Sequence, residues 1–202
     1  MLNRAMRFFV LLFLTVSLSG RAVAGFDFSC YHHLMLAAME DELKIREAEI
    51  RRDPHLLPQI QYQGRTFDVG RIYASGGEAR LIGQVLTPEG PRVLKQFYDL
   101  RDYFAYVGRM RQLRQAGFPA LEVLGQDDET LTVMLYDRKL IDAMWIMRSD
   151  LALHRQMVAA RNLLADDLDT RARDLGILVR PVQPGNVLYD VELGAFVLVD
   201  PT

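Results

Sequence analysis

Val179-Arg180-Pro181-Val182-Gln183-Pro184-Gly185-Asn186-Val187-Leu188-Tyr189-Asp190, followed at once by the apolar run Phe196-Val197-Leu198-Val199 and then Asp200, is the stretch on which the reading of this chain turns. Two short apolar runs, Val187 to Tyr189 and Phe196 to Val199, read as strands that face one another. They place Asn186 and Asp200, 14 positions apart, at the ends of the pair. An amide oxygen and a carboxylate there are hard donors suited to one Mg²⁺. The alternative is an Asn that holds a Pro-Gly-Asn turn and an Asp that faces solvent.

Two upstream segments gain meaning beside this one. Ile72-Tyr73-Ala74-Ser75-Gly76-Gly77-Glu78-Ala79-Arg80-Leu81-Ile82 places small residues at the tip of a strand pair. There, backbone N–H groups can approach phosphate oxygens with no Cβ in the way. Most Ser-Gly-Gly turns simply reverse a hairpin. Arg92-Val93-Leu94-Lys95-Gln96-Phe97 sets a lysine in an otherwise apolar strand. Its ammonium has to reach water or a partner, because burying it alone is expensive. A nucleotide phosphate is one suitable partner, and an exposed edge strand is the other solution.

The rest of the chain supplies the frame. Tyr31 to about Arg52 has helical spacing, with Leu34, Ala37, Ala38, Leu43, Ile45 and Ala48 as the apolar positions of a surface helix that Pro54 stops. Ile60 to Tyr62, Thr66 to Tyr73, Ala79 to Leu86 and Arg92 to Phe97 read as strands parted by Gly- and Pro-rich turns. Residues 98–116 return to helical spacing, with Tyr103, Tyr106, Val107, Met110 and Leu113 on one stripe, and Gly117-Phe118-Pro119 ends the run. Leu121 to Leu124 and Thr130 to Tyr136 form a hairpin, and Ser149 to Leu175 forms a long helix closed by Gly176. Gly176 to Val179 reads as one further strand. The fold class is α+β, with a hinge near Asp137 to Ile141 between strand-rich and helix-rich parts.

Residues 1–24 read as an export signal. Arg4 and Arg7 precede the uncharged run Phe8 to Leu18, and Ala22-Val23-Ala24 offers a cleavage site before Gly25. The run is about 11 residues, against the roughly 20 that a spanning helix needs. No later segment is longer and uncharged, so the mature chain is expected to have no transmembrane span and to be periplasmic or secreted. Removing residues 1–24 takes away three arginines and no acid, moving the formal charge from −2 to −5. Such a balance excludes the basic face that nucleic acid requires. The single cysteine, Cys30, excludes an intramolecular disulfide framework and a cysteine-cluster zinc site.

Other candidates read as structure. His32 and His33 are adjacent and so cannot share a helix face. His154 sits on the long helix, and neither Ser75 nor Ser149 has partners that suggest a triad. Trp145, Met144 and Met147, like Tyr98, Tyr103 and Phe104, are read as packing residues.

Taken in order, these segments resemble the protein-kinase-like fold over about residues 66 to 200: glycine-rich turn, strand lysine, helix, hairpin, hinge, long helix, catalytic loop and metal-binding Asp. Within that fold the chain most resembles the minimal kinase effectors that pathogenic bacteria inject into host cells, which are about this long. Pro184-Gly185-Asn186-Val187-Leu188 also resembles small-molecule kinases of the aminoglycoside and choline type. The resemblance implies a two-lobed fold: a helical extension over 25–58, a strand-rich N-lobe over 59–137 and a reduced helical C-lobe over 138–202. It implies that Ser75, Gly76 and Gly77 cover the phosphates of ATP, that Lys95 touches the α- and β-phosphates, and that Asn186 and Asp200 hold Mg²⁺. Backbone groups of Tyr136 to Arg138 would meet the adenine.

Three departures bear on activity. In His-Arg-Asp-x-x-x-x-Asn the base lies five residues before the Asn, and here that position is Pro181, which can neither accept a proton nor orient a hydroxyl. No glutamate lies between Gln96 and Gly117 to partner the lysine, which leaves Asp99 and Asp102 as substitutes. Asp200 is followed by Pro201-Thr202 rather than Phe-Gly. The implied function is an exported pseudokinase or weak atypical kinase that binds Mg-ATP and acts on or with a partner protein. The alternatives are an active ATP-dependent phosphotransferase and an interaction domain that binds no nucleotide.

Overall fold

A computed structural model describes residues 28, 31–50, 59–144, 150–178 and 180–201. The export signal, Cys30, Trp145, Met147 and Ser149 lie outside the described residues. Helix α1 (His32–Ile50) opens the fold. Strands β1 (Gln59–Tyr62), β2 (Arg65–Asp68), β3 (Arg71–Gly76), β4 (Ala79–Thr87) and β5 (Gly90–Phe97) follow, then α2 (Leu100–Gln115). The chain continues through β6 (Val123–Asp127), β7 (Thr132–Tyr136), β8 (Leu140–Ile141), α3 (Leu151–Asp174), β9 (Val187–Asp190) and β10 (Ala195–Leu198). No helix among the described residues is long and apolar enough to cross a membrane.

Five antiparallel strands form the main sheet in the order β3-β4-β5-β7-β6, with α2 connecting β5 to β6. Alternation sorts the central strand β5. Leu94 joins Ile60, Tyr62 and Val85 in a small cluster on one face, whereas Val93 and Phe97 join the main core on the other. Lys95 therefore points to the same side as Val93 and Phe97. The β1–β2 hairpin turns at Gln63 and Gly64, both with positive φ, the two-residue geometry that matches strand twist. It covers the smaller cluster closely: a Cβ on Gly83 would lie 2.3 Å from a Val69 methyl, and one on Gly125 would lie 2.2 Å from the Tyr62 hydroxyl.

The stripe expected on α2 is the buried one: Tyr103, Tyr106, Val107, Met110 and Leu113. Asp99 caps this helix by accepting from the Asp102 N–H at 2.9 Å. At the other end Gly117 takes φ +82°, and the Phe118 N–H reaches back to the Leu113 carbonyl. Asp150 caps α3 through the N–H groups of Ala152 and Leu153.

Several expectations are corrected. The run 66–73 is not one strand. It breaks at Val69-Gly70, since β2 pairs with β1 and β3 with β4. Residues 176–178 form no strand, because the N–H groups of Ile177 and Leu178 both go to the Ala172 carbonyl and close α3, and Val179 lies outside the described residues. The hinge contains β8, which adds to β9 and β10 as a three-stranded sheet. On α1 the buried stripe is Met35, Met39 and Leu43, at a spacing of four; Ile45 is exposed. These three residues belong to the main core. Tyr98, Phe104 and Met144 are exposed rather than packed.

Candidate functional site

The connection from α2 to β6 positions the Asp200 carboxylate. Ala120 bridges Leu198 in parallel, the Leu198 N–H donates to the Pro119 carbonyl at 2.7 Å, and the Leu121 N–H donates to the Leu198 carbonyl at 3.0 Å. One residue further, the Tyr106 hydroxyl donates to the Val199 carbonyl at 3.1 Å. These bonds fasten the end of β10 beneath the main sheet, so that Asp200 meets Lys95 in an ion pair spanning 105 positions of sequence. The Lys95 ammonium is buried, lying 4.1 Å from the centre of the Tyr106 ring and 4.8 Å from that of Phe97. Aromatic faces and a carboxylate together make burial of a cation tolerable. The Tyr106 hydroxyl is pushed up out of its ordinary range by its burial and by the Asp200 charge.

Asn186 is fixed by local turn chemistry. Its N–H donates to the Gln183 carbonyl, and its own carbonyl accepts from the Val199 N–H at 2.8 Å, which joins it to the residue before Asp200. Asp169 on α3 accepts from the Val182 N–H, which ties the preceding loop to the long helix.

Lys95, Asn186 and Asp200 all line one cavity of about 1220 Å³, together with Gly77, Pro181 and the hinge residues Tyr136, Asp137 and Arg138. Ordinary small-molecule sites run to about 300–1,000 Å³, so a nucleotide can be accommodated. Ser75 and Gly76 are the last two residues of β3, and Gly77 turns the chain with φ +66°. A Cβ on Gly77 would meet nothing within 4 Å, so the space beside this turn is open. Pro181 is exposed and lines the cavity at the position expected for a base.

Neither carboxylate proposed as a substitute partner reaches Lys95. The Asp99 carboxylate caps α2, and its affinity for a proton is lowered chiefly by the Asp102 N–H. The Asp102 carboxyl is pushed up by desolvation and by the charges of Asp99 and Glu78. Asp200, the residue that the sequence reading offers to a metal, is the carboxylate that pairs with the lysine.

Sequence reasoning missed three contributors. Asp137 accepts from the Tyr73 hydroxyl at 2.7 Å and from the Gln84 amide at 2.6 Å, which latches β3 and β4 to the hinge. Burial and that hydrogen bond push the Tyr73 hydroxyl up. Glu78, in the glycine turn, lines the cavity with a buried Oε2 that has no hydrogen-bond partner among the described residues. Met39 and Leu43 of α1 also line it. Glu78 stands in sequence directly beside the glycine turn, whereas the latch depends on tertiary placement.

No protein-family model and no curated protein matches the chain. Among solved structures it is similar to the PknI kinase domain of Mycobacterium tuberculosis, with 22% sequence identity and a TM-score of 0.42. The match covers 70% of this chain and 61% of that domain, so the chain spans about three fifths of the length of that relative.

Proposed function

We propose that this is an exported kinase-like protein that binds Mg-ATP between a strand-rich lobe, residues 59–137, and a reduced helical lobe, residues 138–202. On this reading it is a pseudokinase or weak atypical kinase that works on or with a partner protein, and residues 1–24 direct its export. The observation that carries the reading is the Lys95–Asp200 ion pair inside a cavity that Asn186 and the glycine turn also line. The strand order of the main sheet, with α2 between β5 and β6, supports it.

The residues present fit the ligand. Mg²⁺ is commonly held by one or two protein oxygens plus the phosphates it accompanies. Asn186 and Asp200 would supply those oxygens, and the buried, unpartnered Glu78 Oε2 adds negative charge to the lining of the same cavity. When bound, the ion would neutralise phosphate charge. The chain's own part is to orient: Lys95 binds phosphate oxygens, the turn at Gly77 leaves room for them, and the cavity wall excludes water. With Pro181 in the base position, no side chain there can take a proton from an acceptor hydroxyl, and losing a general base costs on the order of 10²- to 10⁴-fold. Binding is therefore the expected role, with transfer slow at best.

A thermal-shift titration tests this. Mg-ATP at about a hundredfold excess over Kd should raise Tm by roughly 5–10 °C. Lys95→Ala and Asp200→Ala should each abolish the shift. Mutants that shift like the parent would show that the ligand sits elsewhere. Phosphate transfer from labelled ATP then separates a weak kinase from a pseudokinase.

A further inference from the structure

Helix α1 presents Met35, Met39 and Leu43 on one stripe, all three buried. The last two line the cavity that holds Lys95 and Asp200. The helix packs against β3 and β8, the elements on either side of the Asp137 latch, so it lies at the hinge end of the cavity. Glu40, one turn along and half-buried, sets its carboxylate 3.7 Å from the Arg71 guanidinium of β3 and holds the helix to the sheet edge. With the helix seated, the cavity still has about 1220 Å³. A plug would have consumed that volume; a wall leaves it.

We infer that α1 is a wall of the ligand site, and that Met39 and Leu43 are binding residues supplying an apolar surface to the planar base of a nucleotide. A thioether suits that role, being polarizable and adaptable against an aromatic ring. This inference rests on the nucleotide reading of the cleft. It adds that the base is recognised partly by a helix outside residues 66–200, the stretch that carries the kinase resemblance.

The test compares Mg-ATP with magnesium tripolyphosphate, which carries the phosphates without a base, on the full chain by calorimetry. Met39→Ala and Leu43→Ala should each weaken Mg-ATP by about tenfold, equivalent to one or two methylene groups taken off the base. Both should leave tripolyphosphate within about twofold of the parent. Unchanged or tighter Mg-ATP binding would overturn the wall, as would equal loss of both ligands. Because both residues belong to the core, the unaltered chain provides a second measurement. Saturating Mg-ATP should slow amide hydrogen exchange along residues 35–50, whereas faster exchange there would mean that the helix is displaced, and the inference fails. A parent that binds no Mg-ATP at all would sink the nucleotide reading itself, and this inference with it.

Discussion

Replacing Asp200 by Asn should destabilise the fold more than replacing Lys95 by Met, although both break the same ion pair. The asymmetry follows from exposure: the lysine side chain is 3% accessible and the aspartate 21%. Asp200→Asn strands an ammonium that water barely reaches, and breaking a buried pair this way costs about 3–5 kcal/mol. The rings of Tyr106 and Phe97, 4.1 and 4.8 Å from the ammonium, return about 0.5–2 kcal/mol, leaving a loss of roughly 2–4 kcal/mol. Lys95→Met instead leaves a carboxylate that water can solvate and puts an apolar chain of similar length against the same rings, for a loss of about 1–2 kcal/mol. The double variant removes both charges and should lie within about 1 kcal/mol of the parent. Urea denaturation of the four proteins closes the cycle, with an expected coupling of roughly 3–6 kcal/mol. A coupling below about 0.5 kcal/mol, typical of exposed pairs, would refute the reasoning. So would a Lys95→Met variant less stable than Asp200→Asn.

Gly125→Ala should cost about 1–3 kcal/mol in urea denaturation, because its Cβ would sit 2.2 Å from the Tyr62 hydroxyl. Tyr62→Phe removes that oxygen and should restore most of the loss; failure to rescue would show that another contact sets the cost. The Asp102 carboxyl is pushed up by desolvation and by Asp99 and Glu78, so the folded state holds its proton more tightly than the unfolded chain does. Its contribution to stability is therefore full at low pH and is lost as pH rises through the raised value. Asp102→Asn should raise Tm near pH 7, by no more than about 1–2 °C for so exposed a group, and leave it unchanged near pH 3. A gain that persists in acid would mean the charge is not its source.

Much of the sheet and of α2 was legible because short-range chemistry specifies them. The Tyr103-to-Leu113 stripe has helical period, and Gln63-Gly64 is a turn signal whose positive φ values the fold uses. The misread elements are those where tertiary structure spends backbone groups otherwise. Residues 176–179 have strand-like composition, but two of their N–H groups finish α3. Leu34 and Ala37 are apolar as Met35 and Met39 are, and the position of the sheet edge selects the methionine face. At the site, Lys95, Asn186 and Asp200 were readable as candidates from the order of motifs, in which the strand lysine needed water or a partner. That Lys95 and Asp200 partner one another depends on Ala120 and Leu121 gripping Leu198, a contact no local pattern announces.

That pairing has a consequence for how a ligand enters. Asp99 is committed to capping and Asp102 faces two other acids, so Asp200 neutralises Lys95 in the resting cleft. A phosphate that takes the lysine replaces one anion by another, and the lysine's own balance changes little. Asp200, however, would then lose its cation while standing beside new negative charge, a repulsion that water reaching the 21% accessible carboxylate lessens without removing. Asp200 and Asn186 would hold a divalent ion that offsets this repulsion, and Lys95 would be released to the phosphates. On the nucleotide reading the cleft therefore takes up nucleotide and cation together, and the lysine–aspartate pair is the charge-balanced state to which it returns when both depart.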